Sequence, residues 1–196
     1  MIKPSGLFVT LLFTAPSLLA QNGYLSGYIV LNEGDTLFGK LKDRDVDRGR
    51  LLNTIRFKQK GKRVKKYSAY DLLSYRVDRV IFESKWYEEK AEFFNFQYLN
   101  RYGVGEKVFL RVNSKGKLSC YTKELIDDDS DFDGFELFQK EGDDFFIRAN
   151  QGLFGLKKKK LANYFTDCPQ LVQKIDSGEI KNTWEVTSFF NMKCSE

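Results

Sequence analysis

The chain has 196 residues, 42% of them hydrophobic and 15% aromatic, so it can bury a core and is not an intrinsically disordered polypeptide. Its 32 Lys and Arg residues against 27 Asp and Glu residues give a formal net charge of +5, a surplus too modest to indicate a nucleic-acid-binding protein. The sequence contains no histidine, which excludes a Ser-His-Asp or Cys-His catalytic centre and a histidine-ligated zinc site.

The chain begins with the pattern of a secretory signal peptide. Lys3 precedes an apolar run over residues 7–13, and the small residue Ala20 ends the segment before the polar Gln21. The apolar run is shorter than the roughly 20 residues that a membrane-spanning helix needs. We therefore expect residues 1–20 to be removed, no membrane span to remain, and the mature protein to be exported to the periplasm, the cell surface or the medium.

Four pairs of β-rich runs follow, each joined by a short polar turn, and such pairs predict β-hairpins. The paired runs are residues 28–31 with 36–41, 55–58 with 64–67, 109–112 with 118–121, and 135–138 with 145–148. A further short strand is expected over residues 79–82, and Ser68 is expected to cap a helical turn through residues 71–73. We predict that residues 21–155 form a mainly antiparallel β domain, as a rolled sheet, a sandwich or a partial barrel.

Residues 156–196 have a helical periodicity instead. From Leu161 to Ile175, apolar side chains recur at intervals of three and four residues, which is typical of one face of a helix. Pro169 divides this pattern into two pieces. We therefore predict an α+β protein in which a small helical tail, residues 156–196, packs on the β domain.

The helical tail also contains capping signals. Asp167 is placed to cap the second helical piece, which is expected to end near Gly178. Asn182, followed three residues later by Glu185, is typical of a capping box and predicts a last helix that begins there.

The three cysteines are Cys120, Cys168 and Cys194. Disulfides form and persist in exported proteins, and three cysteines allow at most one bridge within the chain. We expect Cys168 to pair with Cys194, because both belong to the helical tail, and Cys120 to be a buried residue on a strand. The alternative is that all three cysteines are reduced and buried.

One acidic cluster resembles the opening of a calcium-binding loop. Asp129, Asp131 and Asp133 alternate and are followed by a glycine, so their carboxylates could converge on one cation, with the backbone carbonyl of Phe135 as a further ligand. Lys140 occupies the place where an EF-hand has its bidentate glutamate. Calcium is thus the only cofactor that the sequence indicates, and the alternative is a solvated acidic hairpin loop.

Two basic runs, residues 56–66 and 157–160, are the other charged clusters. In the first run we expect Arg56 and Lys58 to face solvent, because they alternate with apolar residues that face the core. The simplest interpretation is that both runs are solvated surfaces. The alternative is that they bind an anionic envelope polymer or a lipid head group, since clustered cations concentrate anions.

Two motifs carry a resemblance to a known family. The first is the hairpin formed by residues 27–31 and 34–41, and the second is the Asp-Cys-Pro of residues 167–169 together with Cys194. In both, the chain resembles an uncharacterised family of exported Bacteroidetes proteins. The resemblance implies export and a β-rich domain with a cysteine-linked tail, but it implies no activity and no site residues.

These patterns favour an exported, soluble, non-catalytic binding or scaffold domain of the cell envelope. The expected partner is an envelope protein or an anionic glycan, and no catalytic motif indicates an enzyme. One alternative is a hydrolase of envelope glycans that uses two carboxyl groups, which must lie about 5 to 9.5 Å apart. Another is a calcium-stabilised surface module. An outer-membrane barrel is disfavoured because runs such as residues 55–58 are shorter than the 9 to 11 or so residues that its strands need.

Overall fold

The computed structural model of the chain describes residues 23–44, 54–92, 95–126, 132–150 and 155–194. The predicted signal peptide, residues 1–20, lies outside these residues. The described residues form eleven strands and three helices. The strands are β1 (Leu25–Leu31), β2 (Thr36–Lys42), β3 (Thr54–Lys58), β4 (Lys65–Ser68), β5 (Leu72–Val77), β6 (Val80–Glu92), β7 (Asn95–Leu99), β8 (Glu106–Ser114), β9 (Leu118–Ile126), β10 (Phe132–Lys140) and β11 (Phe145–Arg148). The helices are α1 (Lys158–Tyr164), α2 (Pro169–Asp176) and α3 (Thr183–Lys193).

The predicted hairpins are confirmed as the antiparallel pairs β1–β2, β3–β4, β8–β9 and β10–β11. The turn of the first hairpin shows why its sequence favours this structure. Gly34 has a φ of 95°, which glycine adopts without the steric cost that a side chain would add. The amide of Gly34 donates to the carbonyl of Leu31, and the amide of Leu31 donates to the carbonyl of Asp35.

The predicted helical turn over residues 71–73 is wrong. Ser68 does not cap a helix: its amide and hydroxyl donate to the carboxylate of Asp71 at 2.7 and 2.6 Å, in a tight turn between β4 and β5. Leu72 then begins a strand, where it pairs with Leu31 of β1 and is fully buried. The extended conformation is favoured because the backbone of this segment then forms ladder hydrogen bonds with β1, and the Leu72 side chain is buried in the core.

Six strands form a closed barrel in the order β6-β7-β11-β10-β9-β8, and the pairing of β6 with β8 closes it. Buried side chains from all six strands fill the interior of the barrel and form a packed core. They are Tyr87, Tyr98, Val108, Leu110, Tyr121, Phe135, Leu137 and Phe146. The predicted short strand over residues 79–82 is the beginning of β6, which continues to Glu92 and belongs to the barrel for most of its length.

The remaining strands extend from β6 as an open sheet, defined here as β5-β1-β2-β3-β4 in that order. One face of the open sheet packs on the outside of the barrel. Ile29, Leu41 and Ile55 of that face are fully buried, in one core with Phe82 of β6 and Phe109 of β8. The open sheet is therefore folded back on the barrel wall, and its other face points away from the molecule.

The helical tail packs on β9 and β10 of the barrel. Leu161, Phe165 and Phe190 from the tail form one core with Cys120 of β9 and Phe138 of β10. This arrangement agrees with the apolar periodicity of residues 156–196. None of the helices among the described residues is long and apolar enough to cross a membrane.

The capping signals of the tail have different outcomes. The capping box is confirmed, since Asn182 Oδ1 accepts from the amide of Glu185 at 2.9 Å and the Glu185 carboxylate accepts from the amide of Asn182. The prediction that Asp167 caps α2 is wrong. Cys168 is the N-cap residue and makes no side-chain cap bond, while the Asp167 carboxylate accepts from Lys140 Nζ at 2.7 Å. A full ammonium charge on β10 attracts this carboxylate more strongly than a helix end does.

The sulfur atoms of Cys168 and Cys194 lie 1.94 Å apart, at bonding distance, with their Cα atoms 5.6 Å apart. The predicted pairing is thus the one that the structure contains. Cys120 is a free, buried cysteine on β9, as predicted. The bridge connects the start of α2 to the end of α3, and so it holds these two helices of the tail together.

Candidate functional site

The face of the open sheet that points away from the barrel carries a set of cations. Residues that lie opposite one another in neighbouring strands project from the same face. Lys40 of β2 lies opposite Lys58 of β3, and Lys42 lies opposite Arg56. Arg56 in turn lies opposite Lys66 of β4. Register alone therefore brings cations from three strands together on one face.

The same reasoning extends the face across β1 to β5. Phe38 of β2 lies opposite Tyr28 of β1, and Tyr28 lies opposite Arg76 of β5. We call this surface the basic sheet face. Its charged and aromatic residues are Lys40, Lys42, Arg56, Lys58, Lys66, Arg76, Tyr28 and Phe38. Among the described residues of β1 to β5, every charged side chain on this face is a cation.

Strand alternation explains how the cations come to be segregated. Successive side chains of a strand point to opposite faces, so an apolar residue between two lysines sends both lysines outward. Leu41 is fully buried between Lys40 and Lys42, and Phe57 is buried between Arg56 and Lys58. The hydrophobic effect that buries one face thus displays the basic residues on the other.

Two aromatic rings lie among the cations. The ring of Phe38 is 72% exposed and meets the half-buried ring of Tyr28 edge-on, with 5.9 Å between the ring centroids. Neither ring belongs to the buried core of the open sheet. The basic sheet face therefore offers both positive charge and flat apolar surface to a ligand.

The basic sheet face continues into the inside of the barrel. Arg76 of β5 lies opposite Ile81 of β6, and Ser74 of β5 lies opposite Glu83. Glu83 is on the same face of β6 as Tyr87, whose side chain packs in the barrel interior. The sheet surface that is exposed on β5 therefore becomes the inner wall of the barrel at Glu83.

A cavity of about 340 Å³ opens at this end of the barrel, between the β8–β9 turn and the β10–β11 turn. We call it the barrel-end pocket. It is lined by Lys85, Lys115, Gly116, Ser119, Tyr121, Gln139, Lys140, Glu141 and Gly142. Three of these residues are lysines and one is a glutamate, so the lining has a surplus of positive charge.

Glu83 holds the donors of the pocket in place. Lys115 Nζ lies 2.9 and 3.0 Å from the two carboxylate oxygens of Glu83, and Lys85 Nζ lies 3.2 Å from Oε2. The hydroxyl of Tyr121 donates to the same carboxylate at 2.9 Å and accepts from Lys115 Nζ at 2.9 Å. Two ammonium groups and a phenol therefore converge on one carboxylate.

These contacts shift two pKa values. Burial opposes ionisation of Glu83, but the hydrogen bond from Lys115, the charges of Lys85 and Lys115 and the bond from Tyr121 together lower the pKa of Glu83 below its usual value. Burial also opposes the charge of Lys115, yet its hydrogen bonds to Tyr121 and Glu83 raise the pKa of Lys115. Both groups are therefore charged at neutral pH.

The lining has two other charged residues, Lys140 and Glu141. Lys140 Nζ contacts the Asp167 carboxylate at 2.7 Å and donates to the carbonyl of Tyr164. Glu141 is exposed at the turn that forms one rim. Within the converged cluster, the two ammonium groups of Lys85 and Lys115 face the single carboxylate of Glu83, which leaves one positive charge in excess.

The predicted calcium ligands are only partly within the described residues. Asp129 and Asp131 lie outside them, and Asp133 is placed only by its backbone, opposite Leu125 in the β9–β10 ladder. The side chain of Phe135 is buried in the barrel interior. Among the described residues, no group of three or more acidic or cysteine side chains is arranged to hold a metal ion. Calcium binding at Asp129, Asp131 and Asp133 stays a prediction.

The basic runs seen in the sequence lie on two different surfaces. Residues 56–66 form β3, its turn and the start of β4, so that Arg56, Lys58 and Lys66 contribute to the basic sheet face. Residues 157–160 lie at the start of α1 in the helical tail, where Lys158 and Lys159 are exposed. The first run is joined by Lys40 and Lys42 of β2, and Arg148 of β11 lies near Lys157 and Lys160 of the second run.

Sequence reasoning did not find the barrel-end pocket. Lys85, Lys115 and Tyr121 come from β6, the β8–β9 turn and β9, and no short motif connects them. The alternation of Lys40 and Lys42 around Leu41 was a signal that could have extended the basic surface to β2. Comparisons with family models, with curated proteins and with solved structures find no match to the chain.

Proposed function

We propose that the protein is a non-catalytic binding domain of the cell envelope that holds an anionic glycan chain on its basic sheet face. The observation that carries this proposal is the segregation of charge. Every charged side chain on the described part of that face is Lys or Arg, although the chain as a whole has 27 acidic residues.

The spacing of the cations suits a polymer with repeated charges. Neighbouring strands lie about 4.8 Å apart, and alternate residues of one strand lie about 7 Å apart, so the cations form a grid with gaps of a few ångströms. A polyanion that crosses the strands meets a cation from each strand in turn. Clustered charge of one sign also concentrates an oppositely charged ligand and speeds its association.

The aromatic residues offer a glycan chain an apolar surface beside the cations. Phe38 and Tyr28 provide exposed ring surface between Lys40 and Arg76, and sugar rings present C–H groups that pack on such surfaces. The basic sheet face is also continuous, through the pairing of β5 with β6, with the concave barrel-end pocket. The end of a glycan chain can enter this pocket, whereas a planar lipid surface cannot. The predicted export of the protein agrees with an envelope ligand.

The environment of Glu83 does not suit the general acid of a glycosidase. A glycosidase of the two-carboxylate type needs one carboxyl group whose pKa is raised so that it can protonate the leaving group. Glu83 has the opposite environment, because two ammonium groups and the Tyr121 hydroxyl contact it and lower its pKa. This carboxylate is held ionised and hydrogen-bonded.

The test is calorimetric titration of the protein with a polyuronate, a polysaccharide that carries one carboxylate on each sugar. The double variant K40Q/K58Q removes two cations that lie opposite each other on the basic sheet face. Because an exposed ion pair contributes about 0.2 to 1 kcal/mol, the affinity should fall roughly 2- to 30-fold. It should also fall steeply with added salt, which screens exposed charges.

The matched control is the double variant K159Q/K193Q, which loses the same charge at exposed positions in the helical tail. It should bind the polyuronate as the unmodified protein does. Vesicles that contain phosphatidylglycerol and a single-stranded DNA are the competing probes. Tighter binding of either one, or equal losses in the two double variants, would contradict the proposal.

A further inference from the structure

We infer that the barrel-end pocket is a binding site for a single sugar carboxylate, supplied by the terminal uronic-acid residue of a glycan. The identity of the natural source rests on the proposed function, whereas the pocket itself is argued from its own geometry. The argument uses its size, its charge, its donors and its position next to the basic sheet face.

The size of the pocket suits a sugar ring more than a bare inorganic ion. Its volume of about 340 Å³ falls in the lower part of the range, about 300 to 1,000 Å³, that is usual for small-molecule sites. The pocket lies between two hairpin turns and above the buried ring of Tyr121. Its walls therefore belong to the barrel and not to a single loop.

The charge of the cluster matches a monoanion. Lys85 and Lys115 contribute two positive charges and Glu83 contributes one negative charge. Lys140, which is paired with Asp167, and the exposed Glu141 at the rim lie outside this cluster. A ligand with one carboxylate would neutralise the remaining positive charge, while a phosphate dianion would exceed it.

The donors and acceptors of the pocket suit a carboxylate that is attached to hydroxyl groups. Each lysine ammonium has three N–H donors, and the contacts of Lys85 with Glu83 use only part of them. Ser119 donates to the carbonyl of Gly116, and Gln139 Nε2 donates to the carbonyl of Asp143 at 2.7 Å. These bonds fix a hydroxyl oxygen and an amide oxygen in the pocket wall, and both can accept from sugar hydroxyls.

The position of the pocket suits the end of a bound chain. Glu83 contacts both pocket lysines and lies opposite Ser74 of β5, on the face that also carries Arg76 and Tyr28. A polymer on the basic sheet face that runs across β1 and β5 therefore reaches the pocket at the start of β6. The last sugar of that polymer would enter the pocket.

The experiment is a titration of the protein with D-glucuronate, followed by the amide resonances of Ser119 and Gly142. We expect saturable shifts at both amides with one site per chain. The neutral methyl ester of glucuronate and inorganic phosphate should produce no such shifts. The variant K85Q should weaken binding up to about fivefold, since it removes one ammonium contact. K115Q is a second variant with the same expectation.

The control is K90Q, a lysine further along β6 that pairs with Glu88 instead of Glu83. It should leave the glucuronate affinity unchanged. Thermal unfolding of each variant shows whether the protein still folds. If K85Q does not fold, the glucuronate affinity of K115Q is the test. Unshifted pocket amides, equal effects of K85Q and K90Q, or tighter binding of phosphate would overturn the inference.

The two proposals can fail separately. If the polyuronate binds and depends on Lys40 and Lys58 while glucuronate does not bind, the pocket inference fails and the proposed function stands. If glucuronate shifts the pocket amides while K40Q/K58Q has no effect on the polyuronate, the pocket stands and the proposed function fails.

Discussion

Arg44, the second residue after β2, donates from its Nη2 atom to Oε2 of Glu124 on β9, 80 residues away in the sequence. This bond connects the open sheet to the barrel. Arg44 is only 8% exposed, and its guanidinium lies 4.2 Å from the centroid of the Phe82 ring. Its Nε atom also contacts the carboxylate of Asp43, which accepts from the hydroxyl of Tyr75 at 2.6 Å. Arg44 thus adds a buried polar contact to the apolar core between the open sheet and the barrel.

The first prediction concerns the variant R44M. Methionine keeps much of the apolar volume but leaves Glu124 without its guanidinium partner, in a place where the Glu124 side chain is only 13% exposed. Breaking a buried ion pair on one side costs about 3 to 5 kcal/mol. Urea unfolding should therefore show a loss of free energy of unfolding of about that size.

The matched control is R101M, which removes the exposed pair between Arg101 and Asp144. Both side chains of that pair are more than half exposed, so the loss should stay below about 1 kcal/mol. A loss in R44M no greater than that in R101M would show that the bond to Glu124 does not hold the open sheet on the barrel.

The second prediction concerns Glu83 and pH. Its folded-state pKa is lowered from an ordinary value of 4.5, so the unfolded chain binds the proton more readily as the pH falls. The stability that Glu83 contributes is present above about pH 4.5 and is lost as the pH falls through the folded-state pKa. The variant E83Q should be about 1 to 3 kcal/mol less stable than the unmodified protein at pH 7.

The measurement is chemical denaturation of both proteins at several pH values from 7 down to about 2.5. The difference in free energy of unfolding between them should shrink below about pH 4.5, since the unmodified protein then loses the charged contacts that E83Q already lacks. The other acidic groups are common to both proteins and largely cancel. A difference that is constant with pH would contradict the ionised cluster at Glu83.

The third prediction concerns the bridge between Cys168 and Cys194, whose cysteines are 26 residues apart. Closing a loop of this length should stabilise the folded protein by about 3 kcal/mol, because the bridge restricts the unfolded chain. The double variant C168S/C194S should therefore unfold at a lower urea concentration. Peptide mapping under non-reducing conditions should recover these two cysteines in one linked pair.

Cys120 serves as the internal control for that experiment. Burial, assisted by the negative charge of Glu136, raises the pKa of its thiol to about 12, so it carries almost no thiolate at pH 8. A thiol reagent added to the native protein should leave Cys120 unmodified, and after unfolding it should modify this one cysteine. Rapid labelling of the native protein would show that Cys120 is not the buried residue on β9.

The fourth prediction concerns calcium and the aspartates at positions 129, 131 and 133. An extracellular site of this kind has a dissociation constant of about 10⁻⁴ to 10⁻³ M, so 10 mM calcium should stabilise the protein by about 1.4 to 2.7 kcal/mol. The melting temperature should then rise by roughly 3 to 10 °C, and magnesium should have less effect. The variant D129N/D131N should abolish the rise. An unchanged melting temperature with calcium would mean that the loop is only a solvated turn.

The hairpins could be predicted from the sequence because their signals are local. The first turn places Gly34 where a positive φ is needed, and the turn between β3 and β4 places Gly61 in the same way. The alternation of Ile55 and Phe57 with Arg56 and Lys58 correctly predicted which residues face the core. In each case the decisive residues lie within a few positions of one another.

Closure of the barrel could not be predicted in this way. It depends on the pairing of β6 with β8, in which Phe82 lies opposite Arg111 and Tyr87 opposite Glu106. No local pattern distinguishes this partner from any other strand, and β6 pairs with β5, β7 and β8 along different parts of its length. The long-range register of one strand therefore decides the architecture.

The same limit applies to the candidate site. Outward orientation of Arg56 and Lys58 follows from alternation, but their proximity to Lys40 and Lys42 depends on the register of β2 with β3. The pocket depends on a second long-range pairing. Lys85 and Lys115 both contact Glu83 only because β6 pairs with β8 and closes the barrel. Sequence reasoning thus found the cations of residues 56–66 and missed the surface that they form with the cations of β2 and β5.

The central claim is that a polyanionic glycan binds across the basic sheet face, and lysine footprinting tests it most directly. The protein is acetylated briefly with and without saturating polyuronate, and the modification of each lysine is measured by mass spectrometry. We predict that Lys40, Lys58 and Lys66 are protected several-fold, while Lys159 and Lys193 react as in the free protein. Protection that is absent, or equal at all of these lysines, would contradict the claim.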